Sequence, residues 1–119
     1  RKIQLHLGFS IPINVCGPGL SIAHYGYIII SSKAKIGRNC RIHSCVNIGA
    51  SRGKNGAPII GNNVYIGPGA ILFGDITIAD NVSIGANATV NRSFTESNVV
   101  IAGTPAEIVK RNVPAWNEV

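Results

Sequence analysis

Every sixth residue along most of this chain is aliphatic. Ile30, Ile36, Ile42 and Ile48 form one run, and Ile60, Ile66, Leu72, Ile78, Ile84 and Val90 form the next. With about one aliphatic residue in four as background, such a run arises by chance about one time in a million, so the period carries structure. The following residue is often glycine: Gly37, Gly49, Gly61, Gly67 and Gly85. The residue four places on is small or apolar: Cys40, Val46, Val64, Ala70, Ile76, Val82, Ala88 and Phe94. This spacing fits neither the helical nor the strand period. It fits short strands joined by tight corners, three to a coil of about 18 residues, each inward aliphatic stacked on its equivalent one coil later. Glycine after the aliphatic residue is expected to supply the backbone freedom of the corners. Asn39, Asn62, Asn63, Asn81 and Asn87 are expected at corners for the same reason, because asparagine tolerates the left-handed region. The predicted fold is all-β, a triangular parallel β-helix in which each coil touches only its neighbours.

The phase breaks in two places. Ile22 and Ile28 follow a register shifted by two, which predicts an adjustment in the coil near Tyr25–Ile30. Between Ile48 and Ile60 a polar, glycine-rich stretch from Ala50 to Pro58 replaces one repeat. It reads as a loop extruded around 50–58, with the coil resuming at Pro58-Ile59-Ile60. Loops on rigid scaffolds often carry function. After Val90 the pattern fades into a last partial coil, a Gly-x-Pro turn and a terminal segment, where Pro105 suits the first turn of a short helix. The expectation is one β-helix domain over 1–119, with coils over 10–104 and a C-terminal cap or tail over 105–119. The chain starts mid-pattern and contains no Met, so an N-terminal region is expected to be missing.

Composition narrows the function classes. Charged residues make up 13% and hydrophobic residues 45% of 119 residues, which excludes a disordered chain. No apolar run approaches the roughly 18 residues of a membrane span, and no signal-peptide pattern opens the chain; a cytoplasmic location is expected. The net charge of +6 suits an anionic partner. The basic residues are scattered and aromatics are few, so nucleic acid is not expected. Cys16, Cys40 and Cys45 form no CxxC pair and read as small apolar fillers at inward positions.

The isoleucine-glycine hexapeptides, the loop after Ile48-Gly49 and the ending Ala102-Gly103-Thr104-Pro105-Ala106-Glu107-Ile108-Val109 resemble the left-handed β-helix hexapeptide-repeat acyltransferases. The stretch Leu20 to Ile30, with His24 before Gly26 and an aliphatic run, is similar to the catalytic coil of the serine acetyltransferase branch. The resemblance implies an O-acetyltransferase that uses acetyl-CoA as co-substrate and no metal, assembled as a homotrimer with each active site between two prisms. Three departures stand out. Ala23 replaces an Asp before the catalytic His. Phe9, beside Ser10, stands near a second Asp position. Gly56-Ala57 replace an Arg-His pair at the end of the loop. These losses remove partners for a free amino acid, whose charges are costly to leave unpaired. They predict a sugar hydroxyl as acceptor, in capsule, exopolysaccharide or O-antigen synthesis. Serine O-acetylation for cysteine biosynthesis is the alternative, and a non-catalytic assembly solenoid is the alternative of another class.

Acyl transfer from a thioester to an alcohol needs a base near neutral pH, which suits imidazole. The resemblance assigns that role to His24; without it, a surface or stacking histidine is the better reading. His43, one coil on, is a candidate for the substrate cleft or a solvated turn, and Tyr25, Tyr27 and Tyr65 are candidates to line the acceptor site. Backbone N–H groups near Gly49 and Ala50 are candidates for the oxyanion; an ordinary corner glycine is the other reading. The family pattern carries over to Pro68, Ala86, Asn91, Arg92 and Lys110 as coenzyme contacts, with Arg52, Lys54 and Arg111 as further candidates for its phosphates. Zinc-binding members resemble a pattern of two His about five apart, unlike the spacing of His6, His24 and His43. Trp116 is expected to pack the tail against the prism or a neighbour.

Overall fold

The computed structural model describes residues 9–10, 15–22, 27–50 and 56–118. The chain passes through β1 (Phe9–Ser10) and β2 (Ser21–Ile22), then β3 (Ile28–Ile30), β4 (Lys35–Ile36) and β5 (Arg41–Ile42). A further coil runs through β6 (Val46–Gly49), β7 (Ile59–Ile60) and β8 (Tyr65–Ile66), and another through β9 (Ile71–Phe73), β10 (Thr77–Ile78) and β11 (Ser83–Ile84). The path ends with β12 (Thr89–Val90), β13 (Val99–Ala102), β14 (Glu107–Arg111) and a 3-10 turn at Trp116–Glu118. The strands stack into three sheets, the faces of a prism. Face I holds β1-β3-β6-β9-β12, face II holds β4-β7-β10, and face III holds β2-β5-β8-β11-β13-β14. Pairing is parallel throughout except between β13 and β14.

Burial follows the six-residue pattern. In β3, Ile28 and Ile30 are buried and Ile29 faces out. Ile48 and Leu72, Ile42 and Ile66, and Ile60 and Ile78 pair coil to coil. They build one apolar column in which each fully buried Ile or Leu contributes about 1.5–3 kcal/mol. The register accounts for both phase breaks. Ile60 pairs with Ile78, eighteen positions on, but Ile36 pairs with Ile60, twenty-four on. Six extra residues therefore enter between β6 and β7, and the coil resumes at buried Pro58 and β7; residues 51–55 of the expected loop lie outside the described residues. Ile22 pairs with Ile42, twenty on, whereas Ile28 pairs with Val46, eighteen on. The two-residue shift thus falls between β2 and β3.

Three expectations are corrected. Gly37, Gly61, Gly67 and Gly85 do not adopt positive φ; they are needed because coils approach closely. A Cβ on Gly67 would meet the Ala86 nitrogen at 2.8 Å, and one on Gly37 the Gly61 oxygen at 2.6 Å. Gly49 differs: among the described residues its nearest contact would be Asn47 Oδ1 at 3.5 Å. Asparagines do supply the left-handed corners, at Asn39, Asn63, Asn81 and Asn87, joined by Asn98 and Asn112 but not Asn62. Asn63 Nδ2 donates to Asn81 Oδ1 at 3.0 Å, and Asn81 Nδ2 to Asn98 Oδ1 at 3.5 Å, a ladder along the edge between faces II and III. Second, Pro105 does not open a helix. The chain turns back into β14, which pairs with β13 and covers the outer side of an otherwise open sheet edge. Third, only Cys40 is a core filler; Cys16 is half-buried and Cys45 is exposed at φ 62°. None of the described helices is long and apolar enough to cross a membrane.

The glycine packing predicts unequal responses to the same change. Gly67→Ala is expected to lower unfolding free energy by about 1–3 kcal/mol through overpacking, and Gly49→Ala to stay within about 0.5 kcal/mol, both measured by denaturant titration. The thiols are also expected to differ. Burial, then the neighbouring Cys40, pushes the Cys16 thiol up to about 11, and burial raises Cys40 as well. Since the thiolate is the reactive form, a disulfide reagent at about pH 8 should label Cys45 first. Cys16 should react faster as the pH climbs towards its raised value.

Candidate active site

The edge between faces III and I gathers four of the expected site residues, Tyr27, His43, Pro68 and Ala86. After β5 come His43, Ser44 and Cys45; after β8, Gly67, Pro68 and Gly69; after β11, Gly85, Ala86 and Asn87; after β13, Gly103 and Thr104. Backbone bonds tie these corners together: Gly69 N–H to Ser44 O at 3.0 Å, Asn87 N–H to Pro68 O at 2.9 Å and Gly85 N–H to Ile101 O at 2.9 Å. Pro68 and Ala86 therefore stand on successive coils, both exposed, on a strip without bulky side chains. The register Ser21–Arg41 and Ile22–Ile42 aligns the exit of β2 with that of β5. His24 and Tyr25 follow β2 in sequence and lie outside the described residues, as does His6.

His43 occupies the place that is glycine in the next two coils. Its N–H donates to Ile66 O at 3.1 Å, and its ring meets Tyr65 edge-on, centroids 5.0 Å apart. Its Nε2 is shielded from solvent, so His43 is a packed side chain and not a solvated turn. Tyr27 is 72% exposed, and its carbonyl accepts from the Cys45 N–H.

The remaining candidates sit elsewhere. Gly49 and Ala50 lead into the edge between faces I and II, where Gly74 N–H donates to Gly49 O at 3.1 Å. Asn91 and Arg92 lie on the same edge, both exposed, with the Arg92 guanidinium 4.2 Å from the centroid of Phe94. Arg52 and Lys54 lie outside the described residues. Lys110 is exposed on β14, opposite Val100, and Arg111 is tied to Glu96 at 3.1 Å. Face I separates the two edges, so one chain does not bring all the candidates together. Sequence reasoning missed how apolar face I is: Tyr27, Ile29, Ile71 and Phe73 are exposed on it. The signal was present in the outward positions: face I carries Ile29 and Ile71 beside Asn47 and Thr89, whereas those of faces II and III include Lys35, Arg41, Thr77 and Ser83, with Ile59 the apolar exception on face II.

The departure at positions 56 and 57 is built into the packing. A Cβ on Gly56 would lie 2.4 Å from the Asp75 Cβ, and Ala57 is buried in the core. Neither position has room for a large charged side chain without displacing its neighbours.

Comparison with known proteins gives the context. Residues 57–92 match the bacterial transferase hexapeptide family (six repeats). The chain is 38% identical over 112 residues to a serine acetyltransferase of Staphylococcus xylosus, covering 92% of this chain and 49% of that protein. Among solved structures, the serine acetyltransferase of Neisseria gonorrhoeae superposes with a TM-score of 0.82 at 29% identity, covering 94% of this chain and 44% of that one. That of Brucella abortus in complex with coenzyme A superposes with a TM-score of 0.76 at 27% identity, covering 90% and 41%. The chain spans about half the length of the relatives it matches. These relatives overturn the sugar acceptor expected from the sequence, since each is named for serine. That expectation treated a few missing charged residues as the whole of acceptor recognition, whereas a cleft can pair a ligand's charges from other positions. The six-residue period, the three parallel faces and the matched repeats place this chain in the hexapeptide-repeat transferase family, as a left-handed β-helix.

Proposed function

We propose that this chain carries the acetyl-transfer domain of a serine O-acetyltransferase, moving an acetyl group from acetyl-CoA to the hydroxyl of serine. The observation that carries the reading is the similarity to serine acetyltransferases over 92% of the chain. The strip of small residues through Pro68 and Ala86 supports it, because an extended pantetheine arm needs an edge free of bulky side chains. In this reading the His24 imidazole takes the hydroxyl proton as the oxygen attacks the thioester carbonyl. Backbone N–H groups near Gly49 and Ala50 hold the oxyanion. The C–S bond then breaks, and the CoA thiolate leaves with the proton returned from the imidazolium. Thioesters are already activated, so direct transfer suffices. Arg92, Lys110, Arg52 and Lys54 meet the phosphates, where charge-assisted bonds are strong, and Asn91 lies beside them.

The proposed site draws on both edges flanking face I, which fits a homotrimer. A neighbouring copy would set its edge of Gly49, Asn91 and Arg92 against the edge of Pro68 and Ala86. The exposed Tyr27, Ile29, Ile71 and Phe73 give such a contact apolar area to bury.

Incubation with acetyl-CoA and serine should release free CoA well above the rate without serine. His24→Ala should lower that rate by about 10²–10⁴-fold, with acetyl-CoA binding retained by calorimetry. Absence of acetyl-CoA binding in the unaltered protein would instead favour an assembly role. Ala86→Leu, on the exposed strip, is expected to raise KM for acetyl-CoA about tenfold or more while kcat changes little, the pattern of lost uniform binding.

A further inference from the structure

The segment after β14 returns along the prism. Val113 N–H donates to Asn98 O at 2.9 Å, and Asn98 Nδ2 donates to Val113 O at 3.1 Å. Ala115 is fully buried. Asn117 Nδ2 donates to Asn63 Oδ1 at 3.1 Å, and Trp116 Nε1 to Asn39 O at 3.0 Å, across 77 positions of sequence. The segment thus runs along the asparagine edge from the last coil towards the first. There the Trp116 ring centroid lies 5.7 Å from Arg41 Cζ, within cation–π range. Arg41 Nη1 in turn donates to Ser21 Oγ at 2.9 Å.

Ser21 belongs to β2, which among the described residues borders face III opposite β14 and pairs with β5. Both residues of β2 are half-buried, and the Ser21 N–H donates to Cys40 O at 2.8 Å. A two-residue strand paired on one side among the described residues is prone to local opening. Arg41 is well suited to hold it, because a planar guanidinium can stack on indole while one of its nitrogens donates a hydrogen bond.

We infer that residues 113–118 form a strap that positions β2: Trp116 fixes Arg41, and Arg41 fixes Ser21. Since β2 leads directly into the residues carrying His24, Trp116 and Arg41 are positioning residues for acetyl transfer. That catalytic consequence rests on the function proposed above; the mechanical one does not.

Amide hydrogen exchange on the full chain tests it. Trp116→Ala and Arg41→Met should each speed exchange at Ser21 and Ile22 about five- to tenfold, the effect of losing one modest interaction. Amides of β10 and β12 should stay at their original rates. Trp116→Phe, which keeps an aromatic face but loses the indole N–H, should fall between. The same variants should lower kcat several-fold and leave KM for acetyl-CoA unchanged, since Pro68 and Ala86 are untouched. Unchanged exchange at Ser21 and Ile22 in Arg41→Met, the variant least disruptive to folding, would overturn the strap. So would equal acceleration in β10 and β12, which would mark a general loss of stability. Faster exchange in β2 in a protein that never acetylates serine would uphold the strap and sink the serine reading.

Discussion

Parallel pairing of each strand with its equivalent one coil away is the constraint on which everything else here depends. Neighbouring strands lie about 4.8 Å apart, so residues at matching positions must stack directly. An inward position is then apolar in every coil, as in the column Ile30, Ile48, Leu72 and Val90. A corner must repeat a conformation coil after coil, and asparagine at Asn39, Asn63, Asn81 and Asn98 supplies the left-handed one, while the side chains of Asn63, Asn81 and Asn98 bond along the ladder. The close spacing also explains the glycines, which stand where the next coil's backbone leaves no room for a Cβ.

The same constraint dictates where chemistry can be placed. Strands are occupied by pairing and inward residues by the core, which leaves the corners and outward positions. Extra residues can enter at a corner without disturbing the stack. They do so between β2 and β3 and between β6 and β7. The two insertions fall on the two edges that flank face I. The proposed base belongs to the first, and the proposed oxyanion donors open the second. This arrangement separates the functional groups on one chain and gives the apolar face between them a reason to meet another copy.

The acceptor shows how far motif reasoning reaches. Reading Gly56 and Ala57 as the loss of an amino-acid clamp, together with the Asp residues absent at Ala23 and near Phe9, gave a sugar acceptor, and the relatives of this chain contradict that. The packing clarifies one part: Gly56 lies against Asp75 and Ala57 is in the core, so those two positions are committed to structure. Recognition of a small ligand depends on every group lining a cleft, and several of those groups are brought together only by the fold.

Taken alone, the sequence determined the period, the inward column, the asparagine corners and both insertions, because each repeat stacks on a copy of itself and a local pattern maps directly onto the fold. The tertiary structure decided what depends on residues distant in the chain. Glycine serves close approach between coils, Cys45 stays exposed, and the stretch after Pro105 becomes β14 because β13 offers an open edge. Trp116 reaches Asn39 and Arg41 only because the prism brings the corner between β4 and β5 within range of the final segment. No period in the sequence encodes that contact, since it joins two positions that do not repeat.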